Sequence, residues 1–95
     1  LVDEGRAGLG GHSRGGDGAL MAAAREATRS PRRVRAVVAF GPPATDSRNG
    51  NAPLAFGDLS TTPLLLIGAS RDAIAPISDQ RAILTATRAR GVVLE

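Results

Sequence analysis

Residues Gly11-His12-Ser13-Arg14-Gly15 fit the pattern G-x-S-x-G, in which a serine can act as a nucleophile. The serine of this pattern occupies a tight turn between a strand and a helix, and side chains two positions before and after it would clash. The turn exposes the serine hydroxyl and places the next backbone N–H where an oxyanion would form. We therefore predict Ser13 as the nucleophile, Arg14 as the oxyanion-hole donor through its backbone N–H, and Gly11 and Gly15 as the elbow glycines.

The single histidine of the chain, His12, directly precedes this serine. Side chains of adjacent residues on such a turn diverge, so His12 cannot align both with the Ser13 hydroxyl and with a carboxylate. We interpret His12 as a residue that packs beside the turn. A serine nucleophile needs a histidine as its general base. We therefore expect the base to lie outside the 95 residues, or else the chain to be non-catalytic.

The carboxylate that would orient such a base is predicted at Asp72. This residue follows the apolar run 63–69, so it would lie at the carboxyl end of a parallel strand. In folds whose nucleophilic serine lies on such a strand-to-helix turn, the acid comes after the serine along the chain. Asp46 and Asp58 lie in a long polar segment, and Asp79 fits the first turn of a helix better. An alternative role for Asp72 is an Asx-type turn that binds a nearby backbone N–H.

Two other interpretations of the glycine-rich segment remain open, a phosphate-binding loop and a plain turn. The segment matches G-x-G-x-x-G only in part, because no glycine occupies the third required position. A Walker-type loop also requires a lysine, and the chain contains none. A phosphate-binding loop would predict stabilisation by nucleotides, which we do not expect.

The alternation of apolar runs with amphipathic stretches predicts an α/β fold, a parallel sheet with flanking helices. Strands are expected at 6–11, 34–40, 63–69 and 92–94, and helices at 18–29 and 78–90. The β-branched run 34–40 is typical of a strand that is buried on both faces. Residues 44–62 are expected to form a long loop, and Gly91 is expected to be the C′ residue of the second helix.

Composition argues against several classes of function. All 12 basic residues are arginine and the net charge is +3, but the chain lacks the basic stripe with stacking aromatics that nucleic-acid binding favours. The absence of cysteine excludes disulfides, zinc–thiolate sites and a thiol nucleophile. No apolar run is long enough for a membrane span. The predicted chemistry requires neither a metal nor an organic cofactor.

With these residues, the chain resembles the α/β-hydrolase superfamily, and most of all its cutinase-like, chlorophyllase and dienelactone-hydrolase-like serine esterases. Residues 11–16, GHSRGG, look like their nucleophile elbow, and residues 63–76 look like the strand and acid loop of cutinase-like members. The resemblance implies the C-terminal part of that fold. Residues 1–95 would then be a partial domain, from the elbow to the strand after the acid loop, without the N-terminal half and the catalytic histidine loop.

The same resemblance implies a serine hydrolase that cleaves carboxylic esters through an acyl-enzyme, using a Ser-Asp-His triad. Ser13 would attack the ester, Asp72 would orient the histidine missing from this chain, and a small-molecule ester would be the substrate. The 95 residues alone are then expected to be inactive. The alternative function is that of a non-catalytic fragment or an interaction module.

Overall fold

The structure is a computed structural model that describes residues 6–29, 33–69, 71–72 and 74–95. Helices and strands alternate along these ranges, with one short hairpin between the second and third strands of the main sheet. In chain order the elements are β1 (Ala7–His12), α1 (Arg14–Glu26), β2 (Val34–Phe40), β3 (Thr45–Asp46), a short 3-10 turn (Ser47–Asn49), β4 (Ala52–Pro53), β5 (Leu64–Ile67), α2 (Ile77–Thr87) and β6 (Gly91–Leu94).

Four strands form one parallel sheet in the order β1-β2-β5-β6. The order of the strands across the sheet is also their order along the chain. Right-handed crossovers that all step in the same direction across a sheet place their connecting helices on the same face. The buried side chains agree, because Leu20 of α1 and Ile83 of α2 share one core with Val37 and Leu66 of the sheet. The predicted α/β class, a parallel sheet with flanking helices, is confirmed.

Helix α1 begins four residues earlier than predicted, at Arg14 instead of Gly18, and ends at Glu26. Glycine disfavours a helix interior by about 1 kcal/mol per residue, which is why the sequence suggested a later start. Tertiary packing compensates at Gly16, where an added Cβ would lie 3.3 Å from the Cβ atoms of Ala39 and Pro42. The helix therefore starts directly after Ser13.

Helix α2 ends at Thr87, earlier than the predicted end at Arg90. Arg88 adopts the left-handed conformation, with φ 57°, and closes the helix where glycine was expected to do so. The prediction that Gly91 is the C′ residue is wrong, because Gly91 opens β6 opposite Leu64. A Cβ at Gly91 would overlap the carbonyl oxygen of Leu64, so the glycine serves the sheet.

The segment predicted as a loop from 44 to 62 contains secondary structure. Strands β3 and β4 pair antiparallel, Thr45 with Pro53 and Asp46 with Ala52, and we call Thr45–Pro53 the β3–β4 hairpin. The turn between them is stabilised locally by Asp46, whose carboxylate accepts a hydrogen bond from the Arg48 N–H at 3.0 Å. The expectation of an unstructured loop is therefore wrong for this part of the segment.

Strand β2 has the predicted bounds but not the predicted burial. Val34, Val37 and Ala39 are buried beneath the helices, whereas Phe40 on the other face is 44% exposed. In the part of the chain that the structure describes, both helices pack on one face, so burial on both faces is not observed. The opposite face carries a row of aligned side chains from all four strands: His12, Phe40, Ile67 and Leu94.

The second helix is joined to the loop after β2 by a buried amide. The Gln80 side chain is fully buried, and its Nε2 donates to the carbonyl oxygen of Pro42 at 2.8 Å. Asp79 makes a related contact, because its Oδ2 accepts the Ala44 N–H at 2.8 Å. These two bonds fix the start of the segment that continues into the β3–β4 hairpin, which lies over the N-terminus of α1.

Candidate active site around Ser13

Ser13 occupies a strained turn between β1 and α1. Its backbone has φ 54° and ψ −121°, which is rare for a residue with a side chain. Two backbone hydrogen bonds hold it there: its N–H donates to the carbonyl oxygen of Phe40 at 2.8 Å, and its carbonyl oxygen accepts from the Asp17 N–H at 3.2 Å. Strain of this kind costs about 1–3 kcal/mol and persists only where the surroundings enforce it.

The Ser13 hydroxyl does not perform the usual task of a serine at a helix start. A serine at the N-cap normally accepts a hydrogen bond from the N–H two or three residues on. Within the described ranges the Ser13 side chain makes no such capping bond, although the residue is the N-cap of α1. Ser13 as a residue is half-buried, and it lies at the carboxyl end of β1.

The two elbow glycines differ in how tightly they are packed. A Cβ on Gly11 would overlap the carbonyl oxygen of Gly15 and lie 2.7 Å from the backbone nitrogen of Gly16. A Cβ on Gly15 would meet no atom within 4 Å. The predicted steric need for glycine is therefore correct at Gly11. It is wrong at Gly15. Gly11 lies against the backbone of Gly15, and a side chain on Gly15 would point into open space.

Arg14 contributes to the site through its backbone and its side chain. It is the first residue of α1, where an N–H has no partner within the helix and the helix dipole favours negative charge. Its guanidinium reaches the β3–β4 hairpin: Nη2 donates to the Ser47 hydroxyl at 3.0 Å and lies 3.7 Å from Oδ1 of Asp46. The structure thus places Arg14 between Ser13 and the hairpin.

Removing this guanidinium is expected to have a small effect on stability. The Arg14–Asp46 pair is solvent-exposed, and such pairs contribute about 0.2–1 kcal/mol. We therefore expect Arg14→Ala to lower the free energy of unfolding in urea by ~1 kcal/mol or less. Arg81→Ala, which removes a similar exposed pair with Glu95, is the matched control. A loss several times larger in Arg14→Ala alone would show that the hairpin depends on this contact.

Asp72 lies at the carboxyl end of β5, as the sequence predicts. Its Oδ1 accepts hydrogen bonds from the N–H groups of Ala75 and Ile74, both at 2.9 Å. The N–H of Ala75, the N–H of Ile74 and, more weakly, the charge of His12 lower the pKa of Asp72. The Asx-type turn proposed as an alternative is therefore present. It uses Oδ1, while Oδ2 lies 3.8 Å from where a Cβ on Gly41 would stand, over the end of β2.

The other aspartates considered for the acid are engaged in local structure. Asp46 binds the Arg48 N–H and two guanidinium groups, and Asp58 accepts the Ser60 N–H at 2.7 Å. Asp79 binds the Ala44 N–H. Among these carboxylates, only Asp72 lies at the end of a strand of the main sheet.

His12 ends β1 beside Ser13 and is exposed. It stands in register with Phe40, on the face of the sheet opposite the helices. Among the hydrogen bonds of the described residues, none joins His12 to Ser13. Apart from His12 the chain has no histidine that could take a proton from the serine.

Asp17 is the residue at this site that sequence reasoning missed. It is 6% exposed and lies one helical turn after Ser13, facing the Arg14 side chain and the Asp79 side chain. Burial raises the pKa of Asp17 to about 7; the charge of Arg14 opposes this rise and that of Asp79 adds to it. The signal was its spacing, because Asp17 precedes Leu20 and Ala24 by three and seven positions, on the buried stripe of α1.

Comparison with known proteins gives no match for this chain among protein-family models, curated proteins or solved structures. Within the described ranges, no helix is long and apolar enough to cross a membrane. The same ranges contain no group of three or more histidine, aspartate or glutamate side chains placed to hold a metal ion.

Proposed function

We propose that this chain carries the nucleophile and acid of a serine hydrolase that acts on carboxylic esters. The observation that supports this most is the backbone of Ser13, at φ 54° and ψ −121° between a parallel strand and a helix. A turn with no chemical task would use glycine here at no steric cost. A serine that is held in a strained conformation, and whose hydroxyl is not used for capping, is instead typical of a nucleophile.

In the proposed reaction the Ser13 oxygen forms a bond to the carbonyl carbon of the ester. The electron pair of the carbonyl moves onto its oxygen, and the Arg14 N–H donates to that oxyanion. Collapse of this intermediate expels the alcohol and leaves an acyl-enzyme, which water then cleaves to release the acid and restore Ser13. The base that receives the serine proton returns it to the departing alcohol.

The relative positions of Ser13 and Asp72 suit a histidine placed between them. They follow β1 and β5, which are separated by β2, so the two strand axes lie roughly 10 Å apart. An imidazole can span the space that remains after both side chains reach inward. Strand β6 is parallel to β5, so a chain that continued past Glu95 would emerge at this same end of the sheet. We propose that the base comes from there.

Labelling with a fluorophosphonate probe tests the proposal. It should be measured on the 95-residue chain and on a form that extends past Glu95, because the proposed base is expected beyond it. We expect Ser13→Ala to abolish labelling of the extended form, and Ser78→Ala, which removes an exposed serine of α2, to leave it unchanged. Normal labelling of Ser13→Ala would overturn the proposal.

The same experiment addresses the non-catalytic alternative. If no form of the chain reacts with the probe, while the folded fraction remains high by circular dichroism, the strained turn does not serve a nucleophile. The interaction module would then be the better explanation, and the exposed row containing Phe40 and Leu94 would be the first surface to test.

A further inference from the structure

A cavity of about 220 Å³ lies between the start of α1 and the β3–β4 hairpin. It has room for a short chain of non-hydrogen atoms, since one water in the liquid takes about 30 Å³. Met21, Pro43 and Leu54 supply apolar wall, and Asp17 supplies a carboxyl group. The cavity begins one helical turn from the proposed nucleophile, because the Asp17 N–H binds the carbonyl oxygen of Ser13 at 3.2 Å.

Burying the carboxyl group of Asp17 costs free energy unless the group forms a hydrogen bond. Its Oδ1 is buried and has no hydrogen-bond partner among the described residues. Buried polar atoms are almost always paired, and an unpaired one in a folded protein calls for an explanation. Because χ2 of aspartate is a broad torsion, a partial turn can bring Oδ1 toward the cavity that Asp17 lines. A ligand in the cavity would supply the missing partner.

The charges around the cavity favour a neutral ligand. Arg14 and Arg48 also line it, and their guanidinium groups lie 3.7 Å and 3.5 Å from the same oxygen of Asp46. An ammonium group would have to sit beside these two cations. A carboxylate would have to sit beside Asp46 and the buried Asp17. Like charges at such distances repel, and water screens this repulsion less strongly beside a buried group such as Asp17.

Among neutral groups, a hydroxyl matches Asp17 best. Asp17 can be protonated or ionised near neutral pH, because burial raises its pKa to about 7. A carboxylate only accepts hydrogen bonds, whereas a carboxylic acid also donates one. A hydroxyl both donates and accepts, so it can pair with either form in either direction, whereas a carbonyl pairs only with the acid and an amide N–H cannot accept the hydrogen bond that the acid donates.

We propose that this cavity binds the hydroxyalkyl part of an ester substrate, with the hydroxyl paired to Asp17 and the carbon chain against Met21 and Leu54. Its description as a substrate subsite rests on the proposed hydrolase function. The binding of a hydroxyalkyl group does not, because it can be measured without turnover.

Three probes with the same three-carbon chain test the ligand class: 1-propanol, propylammonium and butanoate. Binding to the 95-residue chain is followed by the amide NMR shifts of Gly18 and Met21, which line the cavity. We expect 1-propanol to bind roughly 10-fold more tightly than either charged probe, since a hydrogen bond to an otherwise unpaired buried group has about that effect. Tighter binding of either charged probe would overturn the proposal.

Variants of Asp17 locate the contact. Asp17→Leu keeps the approximate size but removes the hydrogen bond, so it should weaken 1-propanol binding roughly 10-fold. Asp17→Asn keeps donor and acceptor atoms and should retain affinity within about 3-fold, which separates loss of the contact from loss of the fold. Undiminished binding by a folded Asp17→Leu would contradict the assignment.

Ser13→Ala separates this inference from the proposed function. We expect it to bind 1-propanol as the unmodified chain does, because Ser13 does not line the cavity. If labelling of Ser13 fails while 1-propanol binding depends on Asp17, the cavity is a hydroxyalkyl site outside a hydrolase. If labelling succeeds and binding does not depend on Asp17, the hydrolase stands and this subsite is wrong.

Discussion

Gly11→Ala is expected to destabilise the chain by about 3 kcal/mol or more, at the upper end of the cost of overpacking. The new Cβ would overlap the carbonyl oxygen of Gly15, and it would lie 2.7 Å from the nitrogen of Gly16. Both are backbone atoms of α1, so relief requires the helix to move off β1. The measurement is the free energy of unfolding in urea, from the midpoint and slope of the transition.

Gly15→Ala is the matched control, two residues beyond Ser13 where Gly11 is two residues before it. A Cβ there meets no atom within 4 Å, and the residue is helical. Alanine is favoured over glycine in a helix by up to about 1 kcal/mol, so this variant should be equally stable or more stable. Equal losses in both variants would show that the turn needs glycine at both positions, as the sequence pattern suggested.

This pair illustrates what a motif can and cannot predict. The spacing of G-x-S-x-G predicts that the chain turns back on itself at Ser13, and the structure places Ser13 in such a turn. It does not reveal that Gly11 carries the steric constraint while Gly15 supplies the backbone it packs against. That distinction depends on the angle between β1 and α1, which is a property of the packed molecule.

The elements that local sequence determines were predicted best. Strand β2 has the expected bounds, Val34–Phe40, because a β-branched run ends at a glycine and two prolines. The β3–β4 hairpin was missed, because its strands are only two residues long and carry no apolar alternation. It also makes contacts distant in sequence, such as the hydrogen bond from the Arg14 guanidinium to the Ser47 hydroxyl. No window of sequence contains both partners of such a contact.

The site shows the same division. Asp72 could be predicted because a polar residue after an apolar strand has a defined place in a parallel sheet. The hydrogen bonds that fix its Oδ1 depend on how the chain turns before α2, which the sequence left open between two roles. Asp17 was missed because its burial depends on how α1 packs in the folded chain. A buried acid has no local pattern of its own, apart from its place on the buried stripe of α1.

Asp17→Asn is expected to remove a pH dependence of stability of up to about 4 kcal/mol. In the unfolded chain Asp17 ionises near its ordinary pKa of 3.8, and in the folded chain near 7. Between these values the folded state holds a proton that the unfolded state has lost, so stability falls as pH rises. Each pKa unit corresponds to 1.36 kcal/mol, so the fall over about three units approaches 4 kcal/mol and is complete above pH 7.

The measured quantity is the difference in unfolding free energy between Asp17→Asn and the unmodified chain, at pH values from 4 to 8. The contributions of other carboxylates cancel in this difference, because both proteins contain them. Asp72 is one of them, and its lowered pKa affects stability only at more acidic pH. The difference should favour the variant increasingly toward pH 8. Burial has the largest effect on the pKa of Asp17; the charge of Arg14 lowers it and that of Asp79 raises it, and Asp46 and Arg48 line the same cavity.

Asp58→Asn is the control for this experiment. The hydrogen bonds from Ser60 lower the pKa of Asp58, so its replacement should produce no pH-dependent difference between pH 5 and 8. If Asp17→Asn behaves like this control, Asp17 ionises normally and the cavity does not impose the cost that a ligand would relieve. A difference that rises with pH would instead show that burying the carboxylate costs free energy in the folded chain, and a ligand that binds only the folded chain would offset that cost.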